Sequence, residues 1–270
     1  MPRFGTKVLV MDRVDCLALA AAVWVVLSVG ATRADDCPQP DNAIATDRPD
    51  TTNSSLVVPR GSFQNENGIN LSRRDGAHLV DGTNSRLRLG VGTCFEILLD
   101  LPNYTATVGG TGPSRFADAA PAVKWQVSPA PGKVDLSMVV GAALPTGSRM
   151  VRENGTQPYL QFPWSCELTD GWSVTGMVTN FFMPKNAANK YTNQSTLVIE
   201  REFAERSFLF AEYVGEFPVH GSASHLFNSG GGYRITPTQQ IDFHVALGLN
   251  RAAPDYVFGV GYSFRLDKLF

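Results

Sequence analysis

The stretch Y-V-F-G-V-G-Y-S-F-R-L-D-K-L-F, Tyr256 to Phe270, decides the fold. Every second residue falls on one face: Tyr256, Phe258, Val260, Tyr262, Phe264 and Leu266. The other face carries Val257, Gly259, Gly261, Ser263 and Arg265. Strict period two with one apolar face and one small or polar face is the pattern of a β-strand. A soluble sandwich with an ordinary edge strand is the plain alternative, but soluble proteins seldom leave a long apolar edge unprotected.

The same alternation recurs upstream. Gln240 to Leu249 sets Ile241, Phe243, Val245, Leu247 and Leu249 against Gln240, Asp242, His244, Ala246 and Gly248. Ser85 to Val91 sets Leu87, Leu89 and Val91 against Arg86, Arg88 and Gly90. Further segments are Phe63–Ser72, Phe95–Leu101, Ala119–Val127, Lys133–Leu144, Tyr159–Leu168, Trp172–Met183, Thr196–Phe203, Phe208–Gly215 and Leu226–Ile235. With the closing stretch there are about twelve, an even number, as a single-chain bacterial barrel requires. The connections alternate short and long, counted back from the last strand. Short links such as Thr236–Thr238 and Gly92–Cys94 alternate with longer ones such as Arg73–Asn84, Pro102–Ala117 and Pro145–Gly155. Short periplasmic turns and longer external loops are the expected asymmetry of an outer-membrane barrel. The fold expectation is therefore all-β: a single antiparallel up-and-down transmembrane β-barrel.

Composition agrees. The chain has 270 residues, 43% of them hydrophobic, and a net charge of -2, so no basic surface for nucleic acid is implied. One long apolar run exists, Cys16 to Gly30, where a helical membrane protein would carry several. Preceded by Arg3, Lys7 and Arg13 and followed by Ala-Thr-Arg-Ala34, it reads as a secretory signal peptide, residues 1–34, with a permanent helical anchor as the alternative. Residues 35–60 read as an extended N-terminal segment containing T-D-R-P-D, Thr46 to Asp50, and residues 61–270 as the barrel. The segment is either a solvated linker or a plug folded into the mouth or lumen, with Asp47, Arg48 and Asp50 paired to wall charges. Three cysteines follow the signal, Cys37, Cys94 and Cys166; in an oxidising compartment one pair could bond and leave one thiol over, but no structural disulfide framework is expected.

A charge on the lipid face near the midplane costs about 2–4 kcal/mol for Arg or Lys, so charges on strands should point inward. The candidate lumen-lining or plug residues are Asp47, Arg48, Asp50, Glu66, Arg86, Arg88, Glu96, Lys124, Glu167, Glu212, Arg234, Asp242, His244 and Arg265, with Asp100, Asp135 and Glu200 as further acids. They form either a salt-bridge network filling a narrow lumen or a selectivity lining. Enzyme signals are weak: no G-x-S-x-G motif accompanies His78, His220, His225 or His244, and no H-x-x-x-H or Cys/His cluster could hold a metal. No catalytic residue, metal site or cofactor is assigned.

Several stretches together resemble one family: T-D-R-P-D, V-P-R-G-S-F-Q-N-E-N-G, S-R-L-R-L-G-V-G-T-C-F-E, A-L-P-T-G, F-P-W-S-C-E-L-T-D-G-W, F-A-E-Y-V-G and N-R-A-A-P-D-Y-V-F-G-V-G-Y-S-F. The chain resembles, from about Thr46 to Phe264, the outer-membrane β-barrel family named for a MetA-pathway phenol-degradation protein. The resemblance implies an outer-membrane location and passive passage of small solutes, hydrophobic or aromatic ones among them. A closed barrel with a structural or surface-interaction role is the principal alternative, and a lipid-modifying enzyme a more remote one. Tyr262, Phe264, Leu266 and Phe270 are the expected signal to the barrel-assembly machinery. Expected partners are outer-membrane lipid, that machinery and a small-molecule solute.

Overall fold

The computed structural model describes residues 37–109, 114–130, 134–148, 155–168, 171–183, 190–204 and 206–270. The expected signal peptide lies outside them. The strands are β1 (Phe63–Arg74), β2 (Ala77–Gly92), β3 (Phe95–Asp100), β4 (Tyr104–Thr107), β5 (Arg115–Phe116), β6 (Ala120–Ala130), β7 (Val134–Ala143), β8 (Gln157–Glu167), β9 (Trp172–Phe182), β10 (Tyr191–Phe203), β11 (Ser207–Pro218), β12 (Ser224–Thr236), β13 (Gln239–Gly248) and β14 (Tyr256–Leu266).

Each barrel strand pairs antiparallel with its sequence neighbours, and β1 closes the sheet by pairing with β14 from Phe63↔Leu266 to Arg73↔Tyr256. Twelve strands complete the ring. The two short ones, β4 and β5, extend it at one rim, because the far half of β2 passes from β3 to β4 as its partner. Closure satisfies every edge, which is what lets a sheet cross a bilayer. No helix among the described residues is long and apolar enough to do so.

Side-chain alternation sorts the wall into two faces. On β13, Ile241, Phe243, Val245 and Leu247 are 41–50% exposed, whereas Gln240, Asp242, His244 and Ala246 are buried. On β14, Phe258, Val260, Tyr262 and Leu266 face out and Ser263 and Arg265 face in. The lumen is not wholly polar. Val198, Phe208 and Phe210 form one inward apolar cluster, and Leu98, Ala122 and Val139, packed by Tyr159, form another. Gly232 faces the Phe208 ring so closely that a Cβ there would lie 2.5 Å from it, so glycine is what lets that ring lie against the wall.

Two sequence expectations change. The stretch Arg73–Asn84 is not a loop: β1 and β2 continue through it to a two-residue turn at Asp75-Gly76, with φ of 51° and 80°. An Asp-Gly pair with both φ positive is the tight turn that matches strand twist. The stretch Pro102–Ala117 likewise contains β4 and β5. Phe270 lies four residues beyond β14 and is 72% exposed, outside the alternating face to which Tyr262 and Leu266 belong.

Candidate functional site

Residues 37–60 run inside the barrel. The segment enters at the rim with the short turns, reaches roughly the middle of the lumen at Asp47–Asn53, and returns to the same rim to join β1. At the entry Cys37 is disulfide-bonded to Cys94 in the β2–β3 turn. This corrects the expectation of no structural disulfide. The two cysteines are 57 residues apart in sequence, and the bond ties the start of the segment to the rim. Cys166 is free.

The wall holds the segment chiefly by its main chain. Inward carboxylates accept its N–H groups: Glu66 from Asp47 (2.9 Å), Glu212 from Thr51 and Thr52 (both 3.0 Å), and Glu96 from Val58 (2.7 Å). Inward cations and amides donate to its carbonyls. Arg265 donates to Pro40 (2.7 Å) and Asn42 (2.9 Å), and Arg88 to Ala45 (3.0 Å) and Leu56 (2.9 Å). Gln64 also reaches Ala45 at 2.8 Å, and Ser137 donates to the Ser55 carbonyl. An extended chain inside a barrel has no sheet partner, and buried backbone groups must be paired. The alternating acids and bases of the wall supply that pairing.

Side chains fix the register. Thr52 Oγ1 donates to Glu212 at 2.8 Å and lies 2.5 Å from Thr196 Oγ1. Asn53 donates to Gln161 at 3.0 Å and accepts from Arg86 at 2.8 Å. Ser55 meets Ser165 at 2.7 Å. Asp47 accepts the Ser54 N–H at 2.9 Å and so closes the tip into a tight loop.

Charges converge beneath that tip. Arg88 pairs with Glu96 (2.9 Å), Glu66 (3.0 Å) and Asp47 (3.4 Å), and Lys124 with Asp47 (3.4 Å) and Glu96 (3.6 Å). Arg86 bridges Asp100 (2.6 Å) and Asp47 (3.0 Å). Burial alone would raise the Asp47 carboxyl, but Arg88, Lys124 and Arg86 outweigh it and hold Asp47 well below the ordinary carboxylate range. Arg48 pairs with Asp242 at 3.2 Å, its guanidinium lying over Gly68 and Gly261, which face each other across β1 and β14. Any side chain at Gly68 would occupy the Arg48 position. Gly90 likewise admits the Val58 and Pro59 carbonyls. The glycines on this part of the inner wall sit where the segment lies.

Of the sequence candidates, Asp47, Glu66, Arg86, Arg88, Glu96 and Lys124 meet in one buried network. Arg48 and Asp242 pair beside it, and His244 contacts Asn228 and Asn70. Arg265 guards the entry. Three stand outside that network. Asp50 has no opposite charge beside it among the described residues: burial, then Glu212 and Glu200, push its carboxyl well above the usual range. Glu167 is exposed at the barrel rim, outside the network. Arg234 pairs with Glu202 at 2.6 Å, away from the segment. The neutral partners Gln64, Gln126, Gln161, Ser137 and Thr196 were missed. Their one sequence signal is that they share the inward parity of Glu66, Lys124 and Glu200.

Cavities lie on both sides of the segment. One, about 470 Å³, opens toward the long loops and is floored by Asp47–Thr51. The other, about 450 Å³, lies at the entry between the segment, Asp135 and Arg265. No group of three or more His, Cys, Asp or Glu poised for a metal ion occurs among the described residues.

Residues 46–266 match the model of the family described as "Putative MetA-pathway of phenol degradation". The chain belongs to that family. A search of curated proteins returns no match. Among solved structures the phenol-degradation family member is similar to the COG4313 outer membrane channel from Pseudomonas putida F1, at 12% identity and TM-score 0.57, covering 86% of this chain and 100% of that one. It is also similar to the NanC porin (8% identity, TM-score 0.55, 76% and 100% covered). The KdgM porin in complex with disordered oligogalacturonate is a third (10%, 0.52, 75% and 98%). At these identities the likeness is one of fold: this is a barrel of the bacterial outer-membrane kind.

Proposed function

We propose that the barrel passes small solutes passively across the outer membrane and that its own N-terminal segment is the gate. The observation that carries this reading is the segment's placement: it fills the lumen at mid-height, held by hydrogen bonds to wall carboxylates and arginines, with a cavity above and another below. The short-turn rim, where the segment enters, is the periplasmic one, and the long loops face outward. No covalent chemistry is needed. Mechanism is undocking of the segment, and conduction requires sites that bind weakly enough to release. The family description supports small aromatic compounds as one solute class.

The closed, structural reading also has an observation in its favour: Arg88, Lys124, Glu66 and Glu96 are all fully buried around Asp47, leaving no passage there while the segment is docked. Single-channel recording of the folded chain in planar bilayers separates the two. Discrete openings support the gated pore, and their absence from a demonstrably folded barrel supports the closed one. We further take residues 1–34 to be a cleaved signal peptide, Tyr262, Phe264, Leu266 and Phe270 to be read by the assembly machinery, and the outer apolar band to contact outer-membrane lipid. Sequencing the N-terminus of the membrane-extracted protein tests the first of these.

A further inference from the structure

The cavity that opens toward the long loops has a lining unlike that of an apolar-solute site. No Phe, Tyr or Trp lines it among the described residues; His244 does, its imidazole engaged with Asn228 and Asn70, and the apolar surface is limited to Pro49, Leu101, Ala117 and Ala120. Three asparagines from different wall positions, Asn70, Asn84 and Asn103, each donate an amide hydrogen to the same Asp81 oxygen, at 3.2, 2.7 and 3.1 Å. Asp81 thereby fixes the three amides in one orientation. An amide NH₂ has two hydrogens, so each keeps a second donor beyond the one Asp81 takes. Arg86 and Asp100, locked together by two hydrogen bonds of 2.6 and 2.9 Å, present a further donor–acceptor pair at the wall.

The charge balance around this cavity is one-sided. Its two guanidinium groups are already matched, Arg48 by Asp242 and Arg86 by Asp47 and Asp100. Asp118 on the lining, and Asp81 behind the three amides, have no cationic partner among the described residues. Among the described residues an anion entering here meets carboxylates and no free cation, whereas a hydroxyl group, both donor and acceptor, fits fixed amides and carboxylate oxygens equally.

We propose that this cavity is a binding vestibule for small uncharged polyhydroxylated solutes, sugars and polyols, and that it turns anions away. The proposal deepens the solute-passage reading and rests on the lumen being the route, and it names a class that the family description does not. With no Phe, Tyr or Trp platform for stacking among the described lining residues, affinity stays low, as a site on a passage requires.

Saturation-transfer NMR on the folded full chain in detergent micelles tests binding without needing conductance. Arabinose gives transfer and gluconate gives none. Asn103→Leu, in the connection between β3 and β4 and outside the barrel ladder, weakens arabinose binding about fivefold, the loss expected of one neutral hydrogen bond. Asn70→Leu, on β1, is the second variant should Asn103→Leu fail to fold. The proposal is overturned if gluconate matches arabinose, if arabinose gives no transfer, or if the folded variant binds it unchanged. Single-channel recording beside it separates the two levels. Arabinose binding without channel steps defeats the passage reading alone, and channel steps without arabinose binding defeat the vestibule alone.

Discussion

Replacing Glu212 by alanine removes the carboxylate that holds Thr51 and Thr52 at the tip of the N-terminal segment. It accepts the Thr51 N–H, the Thr52 N–H and the Thr52 hydroxyl, at 2.8 to 3.0 Å. A hydrogen bond to a charged acceptor contributes about 1.5–3 kcal/mol, and a buried donor left unpaired costs about 1–3 kcal/mol. These terms do not simply add, and water entering the vacated space recovers part of the loss. A net weakening of about 3 kcal/mol follows, equivalent to roughly 100-fold in the ratio of undocked to docked segment. The readout is open probability of single channels in planar bilayers, parent against Glu212→Ala, with the folded state of each confirmed by circular dichroism. Glu212→Gln keeps one acceptor and falls between them. A folded Glu212→Ala barrel whose open probability stays within about twofold of the parent would refute the claim that these contacts hold the gate.

Arg88→Ala leaves Glu66 and Glu96 buried without their main cation and destabilises the barrel by about 3–5 kcal/mol, seen as an earlier midpoint in urea unfolding. Cys37→Ser with Cys94→Ser removes a cross-link spanning 57 residues, about 4 kcal/mol in the chain-entropy model, so the residues near Pro40 become cleavable by added protease while the barrel persists. Asp50 has a raised folded-state pKa, so the docking it supports is complete below the ordinary aspartate range and is lost as pH rises through the raised value. Open probability therefore climbs from acid toward neutral pH, and Asp50→Asn flattens that climb. Val245→Arg puts a charge on the outward face of β13 and lowers folding efficiency into bilayers by about 2–4 kcal/mol if it sits at the midplane; no effect would mean the facing is wrong.

The barrel was legible because its strands are amphipathic with period two. In β13 and β14 each face has a single chemical character, so the alternation alone gives both the strand and its orientation. It failed where alternation fades. Arg73–Asn84 is polar and mixed, so the run looked like a loop, although Asp75-Gly76 was a usable turn signal. The buried charges were legible for a different reason. Arg or Lys on a strand of a membrane barrel has one tolerable direction, which placed Arg86, Arg88 and Lys124 inward. A plug in the lumen was one of two readings of residues 37–60, but the path they take there was not readable. It depends on Gln64, Gln126, Gln161 and Ser137, neutral side chains that look the same in sequence whether they meet water or a buried backbone. The Cys37–Cys94 bond ties the start of that path to the rim, and Asp50 was misjudged because a lone acid gives no sign of which charges surround it.

The most direct test of the gate is to lock it. Thr52 and Thr196 have their hydroxyl oxygens 2.5 Å apart, one on the segment and one on the wall. Cysteines at both positions, in a Cys166→Ser background, should form a disulfide that pins the tip. Single-channel recordings would then compare this variant oxidised and reduced, with the Cys166→Ser chain treated identically to account for the native disulfide. Silence when locked and discrete openings on reduction is the result a self-gated barrel gives. Equal conductance in both states, or none in either, would contradict it.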